Sequence, residues 1–203
     1  MVEYFLQGGP FMYPILVCFI LGLAISIERF ISLSMAGINT RKFLKNVIGA
    51  LDKDGTDAAL DVCQKTKGPV ANIFHAGLLR SGRGAEHVEK AITNAGSIEM
   101  AFLERGMIWL SMFITIAPML GFTGTVAGMI AAFDDIKRAN DISPSIVAEG
   151  ISIALLTTLF GLIVAIILQF FYNYFISRID RLVIDMEESS VELVDHLFEK
   201  ENK

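Results

Sequence analysis

Three stretches without a single charged side chain constrain this chain more than anything else in it: Tyr4 to Ile27, Gly106 to Phe133 and Gly150 to Ser177. Each exceeds the roughly 20 residues an α-helix needs to cross a bilayer. Lipid offers the backbone no hydrogen-bond partners, so a lone apolar run of this length must close its own bonds as a helix. A large soluble domain can bury one such helix. Three of them in 203 residues leave too little polar sequence to cover the rest. With 53% hydrophobic residues and a mean hydropathy of +0.55, the chain is too apolar for an ordinary soluble domain. The expected fold is an all-α integral membrane protein with three transmembrane helices. The two later runs, at 1.5 Å per residue, give about 42 Å of helix against a hydrocarbon core of roughly 30 Å. Both helices are therefore expected to extend beyond the membrane.

Lysine and arginine set the orientation. None precedes Arg29, whereas Glu28 to Arg105 carries eleven and the tail carries Arg178, Arg181, Lys200 and Lys203. The link after the second run has only Lys137 and Arg138. The long loop and the tail are therefore expected in the cytoplasm, with the N-terminus and the link outside. The expected organisation is an interfacial helix at 1–10, a first span at 11–33, a cytoplasmic helical domain at 34–105, a second span at 106–133, an outer link at 134–149, a third span at 150–177 and a cytoplasmic C-terminal helix at 178–203. The first run lacks a basic n-region and a clean cleavage site, so it is read as a retained span.

Within the loop, Thr40 is expected to cap a helix through Arg41–Asp52. Thr56 or Asp57 starts a second helix and Gly68-Pro69 a third, which Ser81-Gly82-Arg83-Gly84 ends. From Glu86 a helical pattern runs without a breaker pair into the second span. In the opening helix, Tyr4, Phe5 and Leu6 are expected on the lipid side. The third span is expected to continue into the tail, where Ile179, Leu182, Met186, Leu193 and Leu197 form an apolar face. The net charge of −5 implies no nucleic-acid partner. Cys18 and Cys63 have no metal-site spacing, and Cys63, as a cytoplasmic thiol, is expected to resist membrane-impermeant reagents in intact cells. His75, His87 and His196 are expected as surface or packing residues. No catalytic set or phosphate loop is present, so an enzyme is not expected, nor is a cofactor or a metal site.

Chemistry concentrates in two polar insertions, Ala117–Met129 and Gly150–Leu162. Pro118 cannot donate to the Ile114 carbonyl and tends to bend its helix. Gly121, Thr125 and Gly128 recur at four and three, with Gly124 beside them, and make a small-residue stripe that lets another backbone approach. In the third span, Thr158 and Gly161 share a face with Ala154. Thr157 lies about 100° around, towards Ile153 and Glu149. Two readings of these hydroxyls stand side by side: they line an ion path, or they glue helices. No acidic or basic side chain lies deep in any span, so a complete carboxylate relay must take its acid from a partner. Glu149, at the outer end of the third span, is the one nearby carboxylate and a candidate for cation entry, with a hydrated helix terminus as the plain alternative. Glu28-Arg29 sits at the exit of the first span, hydrated or paired.

The chain resembles the MotA/TolQ/ExbB family of ion-channel subunits, most closely its ExbB and TolQ branch. The resemblance rests on Gln7-Gly8-Gly9-Pro10, Ile27-Glu28-Arg29, Glu104-Arg105, Trp109-Leu110, Ala117-Pro118 through Gly128, Gly150–Leu162 and Tyr172-Asn173. It implies a homopentamer in a bacterial inner membrane around a dimer of a single-span partner similar to ExbD or TolR, whose span carries an aspartate. Flow of the coupling ion, H+ or Na+, would turn the pentamer and drive periplasmic or outer-membrane components such as a TonB-like protein. Thr125 and Thr158 match the family's two pore-facing threonines. The chain departs at Ile153, where relatives often have Glu, and this leaves the coupling ion open. The alternative function is a non-conducting membrane scaffold.

Overall fold

The computed structural model describes residues 2–139 and 144–199, with side chains for 4–138 and 147–198. Apart from a 3-10 turn at Ser81–Arg83, the regular elements are eight α-helices: α1 Val2–Gln7, α2 Met12–Ala36, α3 Thr40–Asp54, α4 Thr56–Lys65, α5 Pro69–Leu78, α6 Ala85–Leu103, α7 Met107–Ala139 and α8 Pro144–Glu199. No strand occurs among the described residues. Three helical stretches, containing α2, α7 and α8, are long and apolar enough to span a membrane. The all-α fold with three spanning helices follows.

Several local readings change. The run from α6 into the second span is broken: α6 stops at Leu103, and Gly106 takes φ +83 before α7 begins. That left-handed conformation is open to glycine and costly for other residues, so one glycine does the work expected of a breaker pair. Thr40 is the first helical residue of α3, and its cap is Asn39, whose side chain accepts the Lys42 N–H at 3.0 Å. The amide oxygen reaches an N-terminal N–H that the helix itself leaves unpaired. Helix continues into both ends of the 134–149 link, supported on α7 by an Asp135–Arg138 pair at 3.9 Å one turn apart. Pro144 opens α8 at a position where its missing N–H costs nothing. Residues 140–143, including Asp141, lie outside those described. Phe5 turns inward, edge-on to Tyr13 and Phe160 at 5.8 and 6.5 Å, while Tyr4 and Leu6 are exposed.

The chain divides into two compact units. The first comprises Met1–Arg29 and Gly106–Tyr174. In it Leu168 of α8 seats in the gap left by Gly22 on α2, where an added Cβ would lie 2.8 Å from Leu168 Cδ2. The second comprises Phe30–Arg105 and Phe175–Lys203. There α3 packs on α4, α4 on α5 and α5 on α6. Phe43, Val47, Ile73, Phe74, Leu78 and Val88 form its core, with the Phe43 and Phe74 rings 5.5 Å apart. Ile179, Leu182, Met186 and Leu193 of α8 are buried as the apolar face anticipates, and Leu197 is half-buried. A His196–Asp52 contact at 3.0 Å ties this part of α8 to α3.

Cys63 is 3% exposed, and burial pushes its thiol up to about 12. It therefore resists alkylation on either side of a membrane and reports no topology. Cysteines placed at exposed Lys53 and at Asp141 are the informative pair: an impermeant reagent is expected to label only the second in intact cells. The raised pKa also carries a stability signature. Between the ordinary thiol value near 9 and about 12, the folded state holds a proton that the unfolded state has lost. The stabilisation is complete below pH 9 and is lost as pH rises towards 12. Cys63→Ser is expected to flatten that alkaline loss in a pH series of thermal melts.

Candidate functional site

The small residues of both polar insertions face each other. α7 and α8 run antiparallel at backbone contact, with Ala117 opposite Gly161, Gly121 opposite Thr157 and Thr158, Gly124 opposite Thr157, Gly128 opposite Ala154 and Ala132 against Gly150. A Cβ added to Gly161 would lie 2.6 Å from the Ala117 carbonyl oxygen, and one on Gly121 2.8 Å from the Thr157 carbonyl oxygen. Lipid gives helices little hydrophobic reason to associate, so close van der Waals contact of this kind is what holds such a pair. Pro118 sits inside α7 without ending it, one residue beyond the Ala117 carbonyl that Gly161 approaches.

At the centre of this seam Thr125 and Thr158 touch, hydroxyl to hydroxyl. Thr125 Oγ1 lies 3.2 Å from the Gly121 carbonyl of its own helix and 3.0 Å from the Ala154 carbonyl across the seam. Thr158 Oγ1 reaches back to the Gly121 carbonyl at 3.2 Å. Four oxygens from two helices thus converge, and both side chains are half-buried. Thr157 is fully buried; its hydroxyl donates to the Ala154 carbonyl at 2.8 Å, and its side chain fills the space beside Gly124.

The structure brings together Thr125 and Thr158, with Thr157 behind them and Gly121, Gly124, Gly128 and Gly161 making the approach possible. Glu149 stands apart, exposed near the start of α8. Ile153 is half-buried, and Gly9 packs near it: an added Cβ there would lie 3.6 Å from Ile153 Cγ2. Glu28 and Arg29 are paired, the carboxylate gripping the guanidinium through two bonds of 2.6 Å. Arg29 is only 3% exposed, beside the Gly106 turn. The backbone oxygens of Gly121 and Ala154 are the members that spacing did not pick out, because a carbonyl leaves no trace in residue type.

This seam lies within residues 65–188, which match the model of the MotA/TolQ/ExbB proton channel family. The chain belongs to that family. A Methanothermobacter thermautotrophicus protein named as a homolog of the biopolymer transport protein ExbB is 34% identical over 180 residues, covering 88% of this chain and 64% of its own length. A Synechocystis protein named ExbB-like 3 in biopolymer transport is 28% identical over 197 residues, covering 95% of this chain and 94% of its own. The biopolymer transport protein ExbB of Xanthomonas campestris pv. campestris is 35% identical over 100 residues, covering 49% and 39%. The chain thus spans just under two thirds of the first relative and nearly all of the second. It is a multi-pass membrane protein of this family.

Proposed function

We propose that the chain is the ExbB-like subunit of an ion-driven motor in the bacterial inner membrane, with its N-terminus periplasmic and its C-terminus cytoplasmic. Five copies surround a dimer of a single-span, aspartate-bearing partner similar to ExbD or TolR. Flow of H+ or Na+ turns one against the other and works on a TonB-like or other periplasm-spanning protein. The observation that carries this reading is the Thr125–Thr158 pair. The two hydroxyls hold two protons between them. They meet each other and the Gly121 and Ala154 carbonyls, so both protons are used inside the chain. What the pair presents outward is oxygen lone pairs. These suit a cation, or the proton of a neutral carboxylic acid on the partner.

Native mass spectrometry of the co-expressed complex in detergent tests the assembly. Five copies with two of the partner are expected; a monomer or a dimer of this chain with the partner present sinks the motor reading. The alternative reading is a non-conducting membrane scaffold. The threonine variants treated in the Discussion separate the two.

Glu149 enters the proposal as the collecting charge at the outer mouth, one turn before Ile153. Its exposure is what such a role requires. Glu149→Gln keeps shape and polarity and removes the charge. Ion-coupled activity is expected to fall several-fold at low concentration of the coupling ion and to recover as that concentration rises. Wild-type activity across the whole range removes Glu149 from the path and leaves it a hydrated residue.

A further inference from the structure

We infer that the groove between α6 and the second-unit part of α8 seats helix α3 of a neighbouring copy of this chain; the inference rests on the ring assembly proposed above. Two cavities, of about 480 and 310 Å³, share Ile92, Thr93, Ser190 and Val191 and so form one continuous groove. Its walls are helix-surface rows at spacings of four, three and four: Glu89, Thr93, Gly96 and Met100 on α6, and Val183, Glu187, Ser190 and Val194 on α8. Each wall is about 16 Å long at 1.5 Å per residue. Two helical walls of equal length make a seat for a third helix. Ile73 lines the groove between them. Glu89, Glu187 and Asp195 line it with negative charge, are exposed, and join no ion pair among the described residues.

Helix α3 is the complement. Its core face is spent on Phe43, Leu44 and Val47. Lys42, Lys45, Gly49 and Lys53 follow one another at three, four and four on the opposite face. The three lysines are exposed and, among the described residues, join no ion pair. Gly49 is the telling residue. A glycine in a helix interior costs about 1 kcal/mol relative to alanine. Here an added Cβ would meet nothing within 4 Å, so packing inside the chain gives no reason for it. A helix arriving from outside does. Gly96, in the groove wall, is nearly as open, with Ile73 Cδ1 at 3.9 Å as the nearest atom to its added Cβ. Lysine stems lie along the apolar walls while their ammonium groups reach the acids at the rim.

A chain cannot fill its own groove. On α8, Arg178 and His196 meet the segment from Gly37 to Asp52, whereas Val183, Glu187 and Val194 line the groove. At about 100° per residue these two sets point nearly half a turn apart. α3 and the groove therefore lie on opposite sides of α8. A contact between unlike surfaces of this kind passes from copy to copy, as the ring proposed above requires.

Charge reversal on the exposed stripe tests the seat in the full chain. Lys42→Glu with Lys45→Glu is expected to weaken subunit association about tenfold or more, and to weaken its salt dependence. Adding Glu89→Lys and Glu187→Lys is expected to restore association. Unchanged association in the first variant overturns the inference, and so does loss without rescue, which would assign the lysines to another partner such as anionic lipid. A second measurement does not depend on charge. Lys45→Cys on one tagged copy and Glu187→Cys on a differently tagged copy are expected to form a disulfide carrying both tags. If native mass spectrometry counts a wild-type ring and no two-tag band forms, the seat falls and the ring stands. A monomeric wild type removes both.

Discussion

Gly161→Val is expected to leave almost no folded protein in the membrane. The new side chain would enter the seam where an added Cβ already stands 2.6 Å from the Ala117 carbonyl oxygen and 3.2 Å from Gly121 Cα. Both neighbours are backbone in continuous helices, so neither can rotate away. Overpacking ordinarily costs about 1–3 kcal/mol, and a rigid neighbour puts this case at the upper end or beyond. Membrane yield and protease resistance check it. Gly82→Ala, where nothing lies within 4 Å of an added Cβ, serves as control and is expected to change stability by less than about 0.5 kcal/mol. Wild-type yield of the Gly161 variant would mean that α7 and α8 do not meet along this seam.

Thr125→Val combined with Thr158→Val is expected to do the opposite: the complex assembles and energised activity falls about tenfold or more. Valine keeps nearly the volume of threonine and removes the hydroxyl. The structural loss is the interhelical bonding through Gly121 and Ala154, and such bonds in membranes contribute about 0.6–2 kcal/mol. A seam held by backbone contact survives that. If the hydroxyls are only glue, activity persists in assembled protein or assembly itself fails. Subunit counting by native mass spectrometry, beside an assay of energised transport on the same membranes, separates the three outcomes.

Much of this could be read before any coordinates. The uncharged runs locate the spanning helices, because a long uninterrupted apolar run in lipid satisfies its backbone within itself only as a helix. Gly68-Pro69 and the 81–84 cluster place the ends of α5 because their chemistry is local. What escaped was set by tertiary contact or by a single residue. Gly106 breaks the helix alone, and an isolated glycine within a helical pattern is more often tolerated than not. Phe5 turned inward because Phe160, far along the chain, offered a ring to meet. The candidate site divides in the same way. Thr125 and Thr158 stood out as polar members of small-residue faces, but spacing within one helix cannot say which face meets which. It therefore gave no sign that the two hydroxyls would touch, or that Thr157 would be sealed behind them against Gly124. The sequence allows Glu28-Arg29 to be hydrated or paired, and the burial of Arg29 beside the Gly106 turn explains why pairing prevails.

The seam between α7 and α8 also fixes where unit 1 is stiff and where it yields. At Gly121, Gly128 and Gly161 its contacts are with main chain, and at Gly124 and Gly150 the Thr157 and Ala132 side chains fill the gap, so displacing one helix along the other would drive these groups into rigid backbone. The contact of α2 with α8 is of another kind: a leucine side chain, Leu168, resting in the gap at Gly22. A leucine changes rotamer at small cost, and packed helices slide by such adjustments. α7 and α8 thus act as one plate, and α2 is the compliant bearing against it. Helix movement within unit 1 is therefore expected at the α2 contact, with the threonine pair staying in register.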